Sequence, residues 1–158
     1  MAHRELRGSE SGTNLLLSDQ LCFALHSTTH ALSRVYKGVL DPLGLTYPQY
    51  LVMLVLWERS GLSVKDLGAV LYLDSGTLTP LLKRLEAAGL VIRRRDSVDE
   101  RRVLIELTAK GCALRERAES VPARIGEACL SSGVDLPALK RDLEALRSAL
   151  MKSGEEPA

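Results

Sequence analysis

Three cysteines, Cys22, Cys112 and Cys129, are the residues of this sequence best suited to redox or nucleophilic chemistry. None stands in a Cys-x-x-Cys pair, which argues against a zinc site or a structural disulfide framework. Each is then either a small packed apolar side chain or a thiol used for its reactivity. Cys22 has the better context for reactivity. Ser18 and Asp19 are N-cap types, so a helix starting there places Cys22 about one turn in. The helix N-terminus favours an anion, hence a thiolate, and a thiolate is what a peroxide oxidises to sulfenic acid. Packing beside Leu21 and Phe23 is the other use of the same residue. His26 and His30 have the i, i+4 spacing of metal ligands, but no His-Glu-x-x-His pattern and no third ligand accompany them, so no metal is expected. No Ser/His/Asp arrangement, carboxylate pair or phosphate-binding glycine loop stands out. Neither an enzyme nor a cofactor is expected, and no catalytic residue is assigned.

The second cluster is basic. Arg93, Arg94, Arg95, Arg101 and Arg102 surround one turn, with Lys83 and Arg84 just before them. The net charge of the chain is only +1, so this signal is local rather than global. A lone arginine run is often a solvated surface; its meaning here depends on the elements that hold it.

Leu78, Leu81, Leu82 and Leu85 recur at i, i+3, i+4, i+7 and predict a helix with one buried face. Asp74 and Ser75 offer cap oxygens, Pro80 lies early, and Gly89 supplies the left-handed stop. Leu90–Arg95 and Arg102–Leu107 predict a hairpin whose tip is Asp96–Arg101. Upstream, Ser63-Val64-Lys65-Asp66 opens a short helix with a capping-box pattern, and Val64, Leu67, Val70 and Leu71 line its inner face. Helix, turn, helix, hairpin and basic tip make a winged helix-turn-helix. Such a fold lays the N-terminal half of its second helix in the DNA major groove. Ser75, Thr77, Thr79 and Pro80 are the expected base readers. Lys83, Arg84 and the wing arginines are the phosphate contacts, with Arg101 entering the minor groove and Asp99 orienting it.

The fold class is therefore mainly α with a small β-wing. Residues 1–14 are expected to form a disordered arm, in which His3, Arg4 and Arg7 are further DNA contacts to consider, and residues 151–158 a frayed tail. Residues 15–150 form one subunit, with the winged helix over 48–107. Within it, a long helix runs from the Ser18-Asp19 cap to Leu40, and a central helix, apolar all round, runs from Gln49 to Arg59. After the wing, Thr108 caps a helix that Pro122 kinks or splits, and Asp135 caps a last helix striped by Leu139, Leu143, Leu146 and Leu150. The helices over 15–40 and 109–150 are not needed to fold the reading head, and their stripes fit a dimer that reads a pseudo-palindromic operator. No secretory signal or membrane span is read, so the expected location is the cytoplasm.

The residues LDSGTLTPLLKRLEAAGLVIRRRD, followed by DERRVLIELTAKG, resemble the DNA-binding domain of the MarR family of bacterial repressors. Asp99-Glu100-Arg101 matches the family's Asp-x-Arg wing. The resemblance covers about Leu15 to Leu150 and implies the same homodimer on double-stranded DNA. Gln20-Leu21-Cys22-Phe23-Ala24-Leu25, with Tyr36 and Tyr47, resembles the branch of the family that senses organic hydroperoxides. That resemblance implies that both tyrosines hydrogen-bond the thiol of Cys22. Tyr36 is roughly 21 Å from Cys22 along a straight helix, so the tyrosine would come from the other subunit. Core packing with satisfied hydroxyls is the plainer reading of both rings. Cys129 lies where two-cysteine members of the branch carry a resolving thiol, which implies a Cys22–Cys129 disulfide after oxidation. Otherwise Cys129 is a core residue, and a small thiol caps Cys22. Cys112 has no matching role and is expected to pack. The resemblance implies a repressor released by an organic hydroperoxide, controlling a thiol-dependent organic peroxidase. The rival readings are a repressor released by a non-covalent phenolic or other small ligand, with Cys22 inert, and a thiol peroxidase. For the last, the Pro-x-x-x-[Ser/Thr]-x-x-Cys context is missing.

Overall fold

The computed structural model describes residues 15–99 and 101–155. The expected arm over 1–14, with His3, Arg4 and Arg7, lies outside them. The elements are α1 (Leu21–Leu40), α2 (Tyr47–Glu58), β1 (Leu62–Ser63), α3 (Val64–Leu71), α4 (Ser75–Ala87), β2 (Val91–Arg95), β3 (Val103–Leu107), α5 (Ala109–Ala118), α6 (Val121–Leu130) and α7 (Leu136–Glu155). The chain divides after Arg34 into two units.

In the first unit the start of α1 differs from expectation. Ser18 and Asp19 belong to a separate 3-10 turn, Leu17–Asp19, where the Ser18 hydroxyl donates to the Asp19 carboxylate. The N–H groups of Phe23 and Ala24 donate to the Gln20 carbonyl, so α1 begins beyond Gln20. Cys22 is thus the second residue of the helix rather than a residue one turn inside it. Ser27, Thr29 and Ser33 fold their hydroxyls back onto the carbonyls of Phe23, Leu25 and Thr29. Leu21 and Phe23 are exposed.

The second unit is built around α2. Its Gln49 side chain accepts from the Thr46 N–H, fixing the start two residues earlier than Gln49. Tyr50, Val52, Met53 and Leu56 are buried, as an all-round apolar helix requires. Against it pack Leu67 of α3, Leu78, Leu82 and Leu85 of α4, and Ile105 of β3, all fully buried. Val70, expected on the inner face of α3, is 55% exposed; α3 ends at Leu71 and is capped by a left-handed Tyr72.

The sheet has three antiparallel strands in the order β1-β3-β2. Leu62 pairs with Ile105, and Val91 through Arg95 pair with Leu107 through Val103. β1 was not expected, since two residues leave no alternation to read. Pro122 splits the expected fifth helix into α5 and α6, taking the second position of α6, where its missing N–H costs little. Asp135 caps α7, accepting from the Ala138 N–H. The frayed tail is corrected over 151–155: α7 continues to Glu155, with no breaker before Gly154 and with the Ser153 hydroxyl bonded to the Ala149 carbonyl. Residues 156–158 lie outside the described part. Among the described residues, no single helix is long and apolar enough to cross a membrane.

Candidate nucleic-acid interface and thiol site

The helix-turn-helix is fixed at both of its starts. Ser63 Oγ accepts from the Asp66 N–H, while Asp66 Oδ2 accepts from the Ser63 N–H and hydroxyl. These bonds, then Arg102, hold the Asp66 carboxyl below the usual carboxylate range. On α4 the cap is Asp74, which accepts from the Thr77 N–H at 2.7 Å; Ser75 is the first helical residue. Pro80 is the sixth residue of α4, not an early one. Its missing N–H falls beyond the first turn and removes the bond to the Gly76 carbonyl.

The outer face of α4 carries what the sequence placed there. Ser75, Thr77, Pro80, Lys83 and Arg84 are exposed, and Thr79 is half-buried. The Thr77 hydroxyl donates to Asp74 and the Thr79 hydroxyl to the Ser75 carbonyl. Both hydroxyl protons are therefore engaged within the helix, leaving the oxygens with acceptor capacity. Lys83, Arg84 and Arg95 form no ion pair among the described residues.

The five wing arginines divide. Arg93 lies 3.1 Å from Glu86 of α4, with a largely buried side chain whose Nε and Nη2 make no aligned hydrogen bond. Proximity rather than direction holds that pair, and it braces the wing against α4. Arg94 pairs with Glu106 across the hairpin, and Arg102 with Asp66 of α3. Arg101 is 93% exposed at the tip, its Nε donating to Asp99 Oδ1 at 3.3 Å. Asp99 also accepts from the Arg101 N–H.

Two glycines were missed. A side chain on Gly68 would meet the Leu73 carbonyl, and one on Gly111 would collide with the Leu90 carbonyl. Glycine inside a helix is the signal that was available, since it costs about 1 kcal/mol there without a packing reason.

The second unit holds Tyr36, Tyr47 and Cys129, with the two tyrosines in contact and the Cys129 thiol acting on Tyr36 electrostatically. The Tyr36 and Tyr47 rings are 4.2 Å apart between centroids, tilted by 36°. Burial first, then Tyr47, Tyr50 and the Cys129 thiol, push the Tyr36 phenol up to about 12. Burial raises Tyr47 and Tyr50 as well. Tyr36 and Tyr47 are thus protonated hydrogen-bond donors at neutral pH. Cys129 is half-buried, and Cys22, in the first unit, is exposed. Cys112, expected to pack, is exposed on α5: the buried face of that helix runs through Gly111, Leu114 and Ala118. No group of three or more metal-ligating side chains occurs among the described residues.

A capped helix-turn-helix followed by an arginine-tipped antiparallel wing defines a winged-helix DNA-binding regulator. Residues 34–117 match the family described as Transcriptional regulator SarA/Rot. The chain is 48% identical over 137 residues to the organic hydroperoxide resistance transcriptional regulator of Bacillus subtilis (strain 168), covering 87% of this chain and 93% of the relative. Reduced AbfR bound to DNA, from Staphylococcus epidermidis, matches with a TM-score of 0.76 at 34% identity, over 88% of this chain and 95% of that one. Apo MarR of E. coli matches with a TM-score of 0.63 at 26% identity, over 83% and 97%. The chain belongs to the MarR family of winged-helix transcriptional regulators. These relatives are regulators, not enzymes.

Proposed function

We propose that this protein is a cytoplasmic repressor whose reduced homodimer holds a pseudo-palindromic operator and releases it when an organic hydroperoxide oxidises Cys22. The observation that carries the reading is the close pair of protonated phenols, Tyr36 and Tyr47, in the unit that also holds the Cys129 thiol. That group offers donors for a thiolate and a second thiol for its oxidised form. The likeness to a hydroperoxide resistance regulator supports the same reading.

The Cys22 thiolate attacks one peroxide oxygen, the O–O bond breaks, and an alcohol leaves after protonation. Cys22 becomes a sulfenic acid. The Cys129 thiol of the partner chain then attacks that sulfur, water leaves, and a disulfide forms. A sulfenic acid no longer accepts from the phenols as a thiolate does, and the disulfide holds the helices in a new arrangement. Moving the operator-binding state from 99:1 to 1:99 takes about 5.5 kcal/mol of differential stability, within reach of a covalent bond.

Ser75, Thr77, Thr79 and Pro80 read bases, while Lys83, Arg84, Arg95 and Arg101 meet phosphate or the minor groove. The test is operator binding by wild type and Cys22→Ser, each with and without cumene hydroperoxide. The variant is expected to bind and to ignore the peroxide. Release of the variant by peroxide, or by a phenolic ligand alone, would overturn the redox reading. Non-reducing electrophoresis of Cys129→Ser reads the second step: the oxidised dimer band is expected to vanish. A band that persists would remove Cys129 from the mechanism.

A further inference from the structure

The C-terminal end of α4 is closed by the first turn of α5. The Lys110 ammonium donates to the Ala88 carbonyl at 2.8 Å, and the Thr108 hydroxyl donates to the Gly89 carbonyl at 2.7 Å. The Thr108 N–H donates to the Leu90 carbonyl at 3.1 Å. Three carbonyls at the end of the helix that faces DNA are therefore satisfied from one short segment. Gly111 belongs to the same turn, donating to Thr108 Oγ1, and it approaches Leu90 so closely that no Cβ fits.

The same turn of α5 is also tied to a side chain of another helix. Trp57, in the last turn of α2, donates its indole N–H to the Gly111 carbonyl at 2.9 Å. Trp57 also ends a row of rings. Its ring lies 6.3 Å from Tyr50, and Tyr50 lies 6.1 Å from Tyr36. One helix, α2, thus bears Tyr47 and Tyr50 near its start and the anchor of the recognition-helix clamp at its end.

We propose that Trp57 is a positioning residue for operator reading: through Gly111 it seats the first turn of α5 on the end of α4 and so sets the angle of the DNA-facing helix. It touches no base. Its bond governs specific recognition, which needs the side chains of α4 in register with base edges. Phosphate attraction tolerates small rotations and is left alone. Since Trp57 is the only tryptophan, its emission reports the state of this joint.

The test uses the full-length reduced dimer and a duplex selected by the wild-type protein from randomised 30-base-pair DNA. Trp57→Phe keeps an aromatic ring and deletes the N–H. Its affinity for the selected duplex is expected to fall about tenfold, while affinity for random-sequence DNA and the salt slope stay as in wild type. Unchanged affinity for the selected duplex would overturn the proposal, and so would a parallel loss on both DNAs. A second measurement stands if the variant does not fold. Wild-type Trp57 emission is expected to shift on binding the selected duplex and not on binding random DNA. An identical response to both, or none, overturns the proposal. The link to the tyrosines rests on the redox reading above. If cumene hydroperoxide leaves wild type on its operator, that reading fails, and the positioning role is still decided by these two measurements.

Discussion

Arg93 and Arg95 stand two residues apart on one strand and have different surroundings. Arg93 is turned toward Glu86 and away from solvent, whereas Arg95 lies exposed beside the tip. Arg95→Ala is expected to lower the slope of log K against log salt by about 1, the signature of one lost phosphate contact. Arg93→Ala is expected to leave that slope alone and to cost about 1 kcal/mol of stability in urea denaturation. A reduced slope for Arg93→Ala would return that residue to the DNA surface. Asp66 makes a pH prediction. Its folded-state carboxyl ionises at lower pH than in the unfolded chain, because Ser63 and Arg102 favour the anion. The stability it contributes is complete above the ordinary carboxylate range and lost as acid takes the pH down through its native value. Asp66→Asn is expected to melt below wild type at pH 7, the gap closing in acid. Tyr36 has the opposite sign. Its phenol, raised to about 12, favours the folded state below pH 10, and that contribution drains away from there to about 12. Ultraviolet titration is expected to show Tyr36 ionising last among the tyrosines, and a normal phenol there would dissolve the cluster.

At the level of helices and strands, the punctuation of the sequence was the most readable part. Gly89 stops α4 in a left-handed conformation at φ +71°, Thr108 caps α5, and the leucine period of α4 marks its buried face. Each is a local rule with a local cause. Features made by two segments at once were not readable. β1 exists because Leu62 meets Ile105, and Gly111 is a glycine because Leu90 passes over it. The bond from Trp57 to Gly111 joins residues 54 apart, and no spacing announces it. The start of α1 was misread for another reason. Ser18 and Asp19 are cap types in isolation, but here they bond to each other inside a preceding turn. The partners of the candidate thiol were named from resemblance, and periodicity alone would have left Tyr36 and Tyr47 as packing. Thr108→Ala is expected to cost about 1 kcal/mol, as loss of an N-cap does, and to loosen the end of α4 it bonds to. Hydrogen exchange at the amides of Leu85–Leu90 checks it.

For the whole molecule, the apolar stripe of α7 remains outside the core of its own chain. Leu139, Leu143 and Leu150 are exposed. The dimer proposed above gives that stripe a cover. Leu143→Asp is expected to sediment as a monomer and to lose most of its operator affinity, and a dimer that survives would place the interface elsewhere.

The internal pairing of Arg93, Arg94 and Arg102 has a consequence for how the protein finds its site. With a net charge of +1 and those three arginines paired within the chain, it is expected to exert only a weak long-range pull on arbitrary chromosome sequence. A genome presents on the order of a million or more competing stretches. A molecule that lingers on few of them leaves most of its copies at large, so a modest cellular supply suffices to keep one promoter occupied.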